Sequence, residues 1–262
     1  MIGIPFIARN VGGLAGYDAD AQAFFDRVDT AGGSLTATEK TAVNTLVLDM
    51  KSASIWTSML AVYPMVGASA AACSQNLKSS SFTGTFSSGW TFASTGVTGD
   101  GTSAYMDTNF NVNTNVSANG GALGLYCRTN DAGFPMIDMS SQSAPFFELV
   151  INFSGTSYFI TNTNTLLTQA GLNTQGLFQA FRLNATTVYG LRNTTTYTLS
   201  SAPVFLQSAN VFISARNTLG TPSYFSNREF AYAYMADTLT LAQASAYYAV
   251  VQAFQTTLSR QV

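Results

Sequence analysis

Carboxylates are the side chains of this sequence that could support hydrolysis, because the chain contains no histidine. Without histidine, Ser-His-Asp catalysis, Cys-His catalysis and the commonest zinc ligands are excluded. Glycoside hydrolysis remains as an alternative, since it needs two carboxylates about 5–10 Å apart. Asp138 and Glu148 could face each other across a hairpin, so they are the candidate pair for that reaction.

A structural role accounts for the same acids. The only glutamates are Glu39, Glu148 and Glu229, and none of them has another acid two or four residues away. That spacing would be needed to place two carboxylates on one face of a single strand. We therefore predict that Glu148 and Glu229 pair with arginines and that the protein is not an enzyme. The candidate arginines are Arg128, Arg216 and Arg228.

Tyrosines are the residues that could bind sugar, which requires an exposed aromatic platform beside Asn, Asp or Arg side chains. Four tyrosines in the β-rich part of the chain are candidates for such a glycan-binding site: Tyr158, Tyr189, Tyr197 and Tyr224. The alternative is that they are half-buried strand residues whose rings pack into the core.

The composition favours a surface that lies against protein or sugar. Charged residues make up 9% of the sequence and hydrophobic residues 47%, whereas an ordinary globular domain has roughly 25% charged residues. The polar surface must therefore come from Ser, Thr, Asn and Gln. A net charge of −2 with scattered lysines argues against nucleic-acid binding. The apolar windows are short, so we expect no membrane insertion and no signal peptide.

The spacing of apolar residues predicts a helical start and a β-rich remainder. We expect helices over Asp18–Phe25, residues 37–52 and Trp56–Leu60, the second beginning at the Thr36–Glu39 capping box. A closing helix follows Thr240. Short segments with a period of two predict the following strands: Phe82–Phe86, Trp90–Ala93, Ala104–Thr108, Ala122–Arg128, Phe134–Met139, Phe146–Phe153, Ser157–Thr161, Phe178–Leu183, Val188–Arg192, Thr196–Leu199, Val211–Ala215 and Glu229–Met235. Many short strands at regular spacing are typical of a sandwich or barrel.

Three stretches resemble the concanavalin A-like lectin and laminin-G domains: Gly89–Thr108 with its Gly-Asp-Gly turn, Phe181–Asn193, and Glu229–Tyr248. The whole layout is also similar to a group of tailed-phage structural proteins, through Asp18–Phe24, Ile55–Pro64 and Gln252–Leu258. The resemblance implies a mainly β fold, a concanavalin A-like antiparallel β-sandwich (jelly roll) with a small N-terminal helical segment and a C-terminal helix.

Calcium is the one cofactor that the resemblance suggests. Laminin-G-like domains often bind calcium through an aspartate and backbone carbonyls at a loop rim, and Asp100 and Asp107 flank the Gly-rich turn here. Calcium needs roughly six to eight oxygen ligands. The alternative is that Asp100 stabilises the turn and Asp107 makes a hydrogen bond at the end of a strand.

Cys73 and Cys127 are the only cysteines. A single pair is not a disulfide framework. We expect two semi-buried thiols, with a bridge as the alternative.

The resemblance and the low charge together predict a non-enzymatic virion structural protein, such as a capsid decoration, a head fibre or a tail or baseplate component. Residues 1–68 would form an arm and docking helices, and residues 69–262 the sandwich. The arm residues Ile4, Phe6, Ile7, Val11 and Leu14 are expected to contact other virion proteins or further copies in a homo-oligomer. The alternative is a glycan-binding adhesin or lectin module that binds a host-surface glycan.

Overall fold

The structure is a computed structural model that describes residues 16–131, 135–141, 145–204 and 208–262. The five arm residues predicted to mediate assembly, Ile4, Phe6, Ile7, Val11 and Leu14, lie outside these ranges. No helix in the described ranges is long and apolar enough to cross a membrane.

Helices flank the strands at both ends of the described chain. The helices are α1 (Ala19–Thr30), α2 (Ala37–Ser52), α3 (Ala70–Cys73), α4 (Val112–Asn115) and α5 (Leu241–Thr257), with a 3-10 turn at Trp56–Ser58. The strands are β1 (Met59–Tyr63), β2 (Thr85–Phe86), β3 (Trp90–Ala93), β4 (Gly96–Gly99), β5 (Met106–Asn111), β6 (Ala122–Cys127), β7 (Met139–Ser140), β8 (Phe146–Phe153), β9 (Thr156–Thr163), β10 (Leu167–Ala170), β11 (Gly176–Arg182), β12 (Thr187–Arg192), β13 (Thr195–Ser200), β14 (Asn210–Ile213), β15 (Arg216–Thr218), β16 (Thr221–Ser223) and β17 (Glu229–Ala236).

Two antiparallel sheets form a β-sandwich, which confirms the predicted fold class. The first sheet has the order β13-β12-β11-β6-β17-β4-β3, and β1 also pairs with β17. The second sheet has the order β10-β9-β8-β7-β14-β5-β2, and β15 and β16 form a separate hairpin. Alternate residues of both sheets meet in a buried sandwich core, in which Phe159 of the second sheet stacks on Phe178 of the first.

The long helices pack on the outer face of the first sheet and form a third layer. Their apolar faces share one buried cluster with Tyr126, Tyr232 and Tyr234 of that sheet. The short helical segment therefore packs on the sandwich. The predicted helix over Trp56–Leu60 is only partly correct, because the 3-10 turn ends at Ser58 and Met59 begins β1, whose backbone pairs with β17.

A β-bulge in β17 changes which face of the sheet its aromatic side chains occupy. The alternation of Phe230, Tyr232 and Tyr234 predicted one aromatic face. The register shifts between Phe230 and Tyr232, so Phe230 lies in the sandwich core while the two tyrosines face the helices. The predicted strand over Phe134–Met139 is also shorter, since among its described residues only Met139 lies in a strand.

Both cysteines are free thiols and are fully buried, so the disulfide alternative is wrong. Cys73 is the last residue of α3, and its Sγ donates a hydrogen bond to the carbonyl oxygen of Val66 over 3.3 Å. Burial raises the pKa of the Cys73 thiol to about 12, which keeps it protonated and unreactive.

Candidate functional site

The outer face of the second sheet is the part of the sandwich that the long helices leave uncovered. The cluster beneath the helices contains no residue of the second sheet. Several buried apolar residues belong to neither core, among them Ile137, Val150, Ile160 and Phe212. Val150 and Ile160 lie on the side opposite the sandwich core, since their neighbours Leu149 and Phe159 point into that core.

A hollow of about 130 Å³, hollow 1, opens on this face above β8 and β9. Its lining is mostly apolar and aromatic: Ile137, Phe146, Glu148, Val150, Phe153, Tyr158, Ile160, Leu166 and Arg216. A concave apolar surface with a few fixed polar groups is the usual form of a small-molecule site.

An ion pair is the polar element of hollow 1. The Arg216 guanidinium donates to both oxygens of Glu148, with Nε to Oε2 at 3.1 Å and Nη2 to Oε1 at 3.0 Å. The Ser140 hydroxyl adds a bond to Oε2 at 2.9 Å. Burial raises the pKa of Glu148, while Arg216 and Ser140 oppose that rise. A bidentate pair of this kind holds both side chains in one geometry.

Three aromatic rings form an aromatic wall, of which Phe153 and Tyr158 line hollow 1 and Tyr224 lies beside them. Phe153 ends β8 and Tyr158 lies on β9, and the tight turn at Ser154 and Gly155 brings their ring centroids to 6.4 Å. Tyr224 continues the row at 5.8 Å from Phe153. The Arg216 guanidinium also lies over the Tyr224 ring at 5.1 Å, within cation–π distance.

Tyr224 also lines a second, more polar hollow at the adjoining loops, called hollow 2. Hollow 2 is lined by Asp100, Gly101, Thr102, Pro135, Met136, Tyr224, Phe225 and Asn227. Tyr224 is 47% exposed and has a φ of 54°, a left-handed backbone conformation that is strained for an aromatic residue. Strain of this kind persists only where the surrounding structure imposes it, and it is concentrated at functional sites.

A buried polar network holds the loop that carries Tyr224. Arg228 is fully buried and donates to both oxygens of Asp138, to the carboxylate of Asp131 and to a backbone carbonyl. The Ser226 hydroxyl donates to Asp138 at 2.9 Å, and the Ile137 N–H donates to the Tyr224 carbonyl at 2.9 Å. Burial by itself lowers the pKa of Arg228. The two carboxylates raise that pKa by more than burial lowers it, so the guanidinium stays charged.

The structure separates the four predicted glycan-binding tyrosines into two groups. Tyr158 and Tyr224 share the aromatic wall. Tyr189 stacks on Phe181 at 5.0 Å beside the helix cluster, and Tyr197 stacks on Phe159 at 5.8 Å at the edge of the sandwich core. The two latter rings are therefore packing residues.

The two predicted calcium ligands do not share a site. Asp100 lines hollow 2, whereas Asp107 lines a different hollow beside Asn210. The Asp100 carboxylate accepts from the backbone N–H groups of Thr102, Ser103 and Ala104, which is the turn role considered as the alternative. These donors lower the pKa of Asp100 against the opposing effect of burial. The described residues contain no cluster of three or more acidic, cysteine or histidine side chains that could hold a metal.

Arginine pairing is confirmed for both glutamates. Glu148 pairs with Arg216 and Glu229 pairs with Arg128 at 2.6 Å. Sequence reasoning did not identify Phe153 or Ile137 as lining residues. The alternation of Phe146, Glu148 and Val150 along β8 was the available signal, since it places an acid between apolar residues on one face.

Comparison with known proteins gives distant structural similarity only. No family model and no curated protein sequence matches the chain. The NanB sialidase of Streptococcus pneumoniae is similar at 11% identity and a TM-score of 0.41, over 50% of this chain and 24% of that one. Trypanosoma rangeli sialidase in complex with sialic acid gives 6% identity and a TM-score of 0.49, over 74% and 33% of the two chains.

Domain 4 of AbnA, a GH43 extracellular arabinanase from Geobacillus stearothermophilus in complex with arabinotriose, gives 12% identity and a TM-score of 0.47. The match covers 73% of this chain and 98% of that domain. The chain spans only about a quarter to a third of the sialidases. Similarities this low transfer neither a ligand nor an activity, which belong to sites rather than to folds.

Proposed function

We propose that the protein is a non-catalytic glycan-binding module, and that it binds sugar on the outer face of the second sheet. The observation that carries the proposal is the aromatic wall of Tyr158, Phe153 and Tyr224 beside the Glu148–Arg216 pair. Aromatic rings offer apolar faces to the C–H side of a sugar ring, and the fixed ion pair offers hydrogen-bonding groups to its hydroxyls.

The engagement of the acids supports binding without catalysis. Both oxygens of Glu148 accept hydrogen bonds from Arg216 or Ser140, and both oxygens of Asp138 accept from Arg228, Ser226 or a backbone N–H. A glycosidase needs one carboxyl group that can protonate the leaving oxygen and a second that can act as base or nucleophile. The low share of charged residues also suits a surface that meets sugar hydroxyls.

The test is a glycan array probed with the full chain and with single variants. Tyr158→Ala and Tyr224→Ala should each reduce the signal on the bound glycan by about tenfold or more, as removal of a central aromatic contact does. Tyr17→Ala is the matched control, because Tyr17 is 39% exposed but packs on Phe25 in the helical layer. Its signal should equal that of the unchanged chain.

Two results would overturn the proposal. The first is the absence of binding to every neutral and acidic glycan on the array. The second is polysaccharide cleavage that is lost in Glu148→Gln, which would restore the glycosidase alternative.

A virion location is the second candidate, and it rests on the phage-like segments. Parts of all three segments meet in the cluster beneath the helices: Phe24, Ile55 and Phe254 are buried there. These motifs therefore form the helical layer and leave the open face free, as expected of a module displayed on a particle. Mass spectrometry of purified particles should detect this chain, and its absence from them would contradict the assignment.

A further inference from the structure

We infer that hollow 1 and hollow 2 act as adjacent subsites for one neutral, chain-like oligosaccharide, with Tyr224 as the shared wall between them. The inference rests on the proposed function and specifies its ligand, since a terminal monosaccharide would need only hollow 1.

The continuity of the aromatic row supports a ligand that extends over more than one sugar. Ring centroids follow one another at 6.4 Å and 5.8 Å from Tyr158 through Phe153 to Tyr224. The Tyr224 ring borders hollow 2 and also contacts Arg216 of hollow 1. The Tyr224 ring therefore joins the two hollows, since it contacts Phe153 and Arg216 of hollow 1 and lines hollow 2.

The two hollows offer different chemistry to successive parts of the chain. Hollow 1 is dominated by apolar and aromatic side chains, whereas hollow 2 presents the exposed polar side chains of Thr102 and Asn227 beside Asp100. The first surface suits the apolar face of one sugar ring, and the second suits the hydroxyls of a following ring.

The charges select against acidic glycans. The guanidinium of Arg216 is already neutralised by both oxygens of Glu148, so hollow 1 has no free cation for a sugar carboxylate. Hollow 2 contains the Asp100 carboxylate, whose lowered pKa keeps it negative. A carboxylate on the ligand would meet no unpaired positive charge in hollow 1 and a like charge in hollow 2, which is unfavourable.

The loop that carries Tyr224 is held in place, which makes its ring suitable as a wall between hollow 1 and hollow 2. The loop is held from below by the Arg228 and Ser226 bonds to Asp138. The Tyr224 carbonyl accepts from Ile137, whose side chain lines hollow 1. A preorganised ring loses little freedom when the ligand binds, which favours affinity.

The experiment is isothermal titration calorimetry of the full chain with neutral sugars. The sugars run from monosaccharide to hexasaccharide in the cello, xylo, malto and arabino series. Oligogalacturonides serve as the acidic series. We expect one neutral series to gain about tenfold in affinity once the ligand is long enough to reach hollow 2. Asn227→Ala should remove that gain and leave the affinity of the short ligands unchanged, and its side chain is exposed, so folding is preserved.

Tyr158→Ala should weaken all lengths, and Tyr224→Phe should keep the length dependence because the ring remains. Equal affinity at all lengths, or a length gain that survives in Asn227→Ala, would overturn the two-subsite inference while leaving sugar binding intact. Binding of only the oligogalacturonides would overturn the charge argument. Failure of every series, together with an empty glycan array, would overturn the proposed function itself.

Discussion

The two outer faces of the sandwich are both rich in aromatic residues, but the helices of the described part of the chain cover only one of them. On the first sheet, Tyr232 and Tyr234 lie beneath α5, where their hydroxyls contact the Tyr247 hydroxyl at 2.6 Å and Gln179 at 2.8 Å. On the second sheet, the hydroxyls of Tyr158 and Tyr224 have no partner within the described part of the chain. The difference shows that aromatic content alone does not distinguish a covered face from an open one.

The two buried arginine pairs differ in the same way. Asp138 and Arg228 are both fully inaccessible, and the pair serves to fix the loop of Tyr224. The Arg216 side chain is 20% exposed, and its pair with Glu148 opens into hollow 1. One pair is enclosed and the other lines the proposed binding site, so equivalent substitutions should separate stability from binding.

The largest expected difference in stability is between Phe254, in the cluster beneath the helices, and Phe153, in the open aromatic wall. Phe254→Ala removes a ring that is 3% exposed beneath the helices, and should lower the free energy of unfolding by about 3–5 kcal/mol. Phe153→Ala removes a half-buried ring from the open wall and should cost less than about 2 kcal/mol, while weakening glycan binding. Chemical denaturation with glycan titration measures both. Equal losses of stability would show that the open face is also core.

The arginine pairs give the next contrast. Asp138→Ala leaves the enclosed Arg228 with Asp131 as its remaining carboxylate partner, so the cost should be about 3 kcal/mol, the lower end for a broken buried pair. Glu148→Ala leaves Arg216 able to reach water, so the cost should be about 1–3 kcal/mol. Glu148→Ala should also create an unpaired cation in hollow 1 and improve binding of oligogalacturonides. No gain in acidic-glycan binding would contradict the neutralising role of Glu148.

The smallest expected effect concerns Asp100 and acid. Its pKa is lowered below the usual 3.8 by the N–H donors of the turn, so it stabilises the folded protein above that pH. The contribution is lost as the pH falls through the lowered pKa of the folded state. The stability difference between the unchanged chain and Asp100→Ala should therefore be constant above pH 3.8 and shrink below it. A difference that does not change with pH would show that the carboxylate charge contributes nothing.

Local signals in the sequence predicted the elements that depend on local chemistry. The start of α2 follows from the Thr36–Glu39 capping box, and the end of β8 from the Ser154–Gly155 turn that closes a largely apolar run. Asp18 and Thr240 cap α1 and α5 through side-chain bonds to the helix N-termini. Such patterns involve residues that are close together in the chain, so a single sequence is enough to recognise them.

Elements that depend on distant partners were not predicted. The apolar run of β1 has no period that distinguishes a strand from a buried helix, and only its pairing with β17 makes it a strand. The site has the same limitation. Tyr158 and Tyr224 were both named as candidates from the sequence, but their proximity depends on the order of strands in the second sheet and on the network around Arg228. The choice of Arg216 over other arginines as the partner of Glu148 arises from that topology.

Sugar binding on the open face is tested by amide chemical-shift mapping of the full chain on addition of the best-binding oligosaccharide. We expect shifts confined to the outer face of the second sheet, including Phe153, Tyr158, Arg216 and Tyr224, with Tyr189 and the helical layer unchanged. Shifts centred on the helices or on Tyr189 and Tyr197, with the Tyr158–Tyr224 wall unaffected, would contradict it.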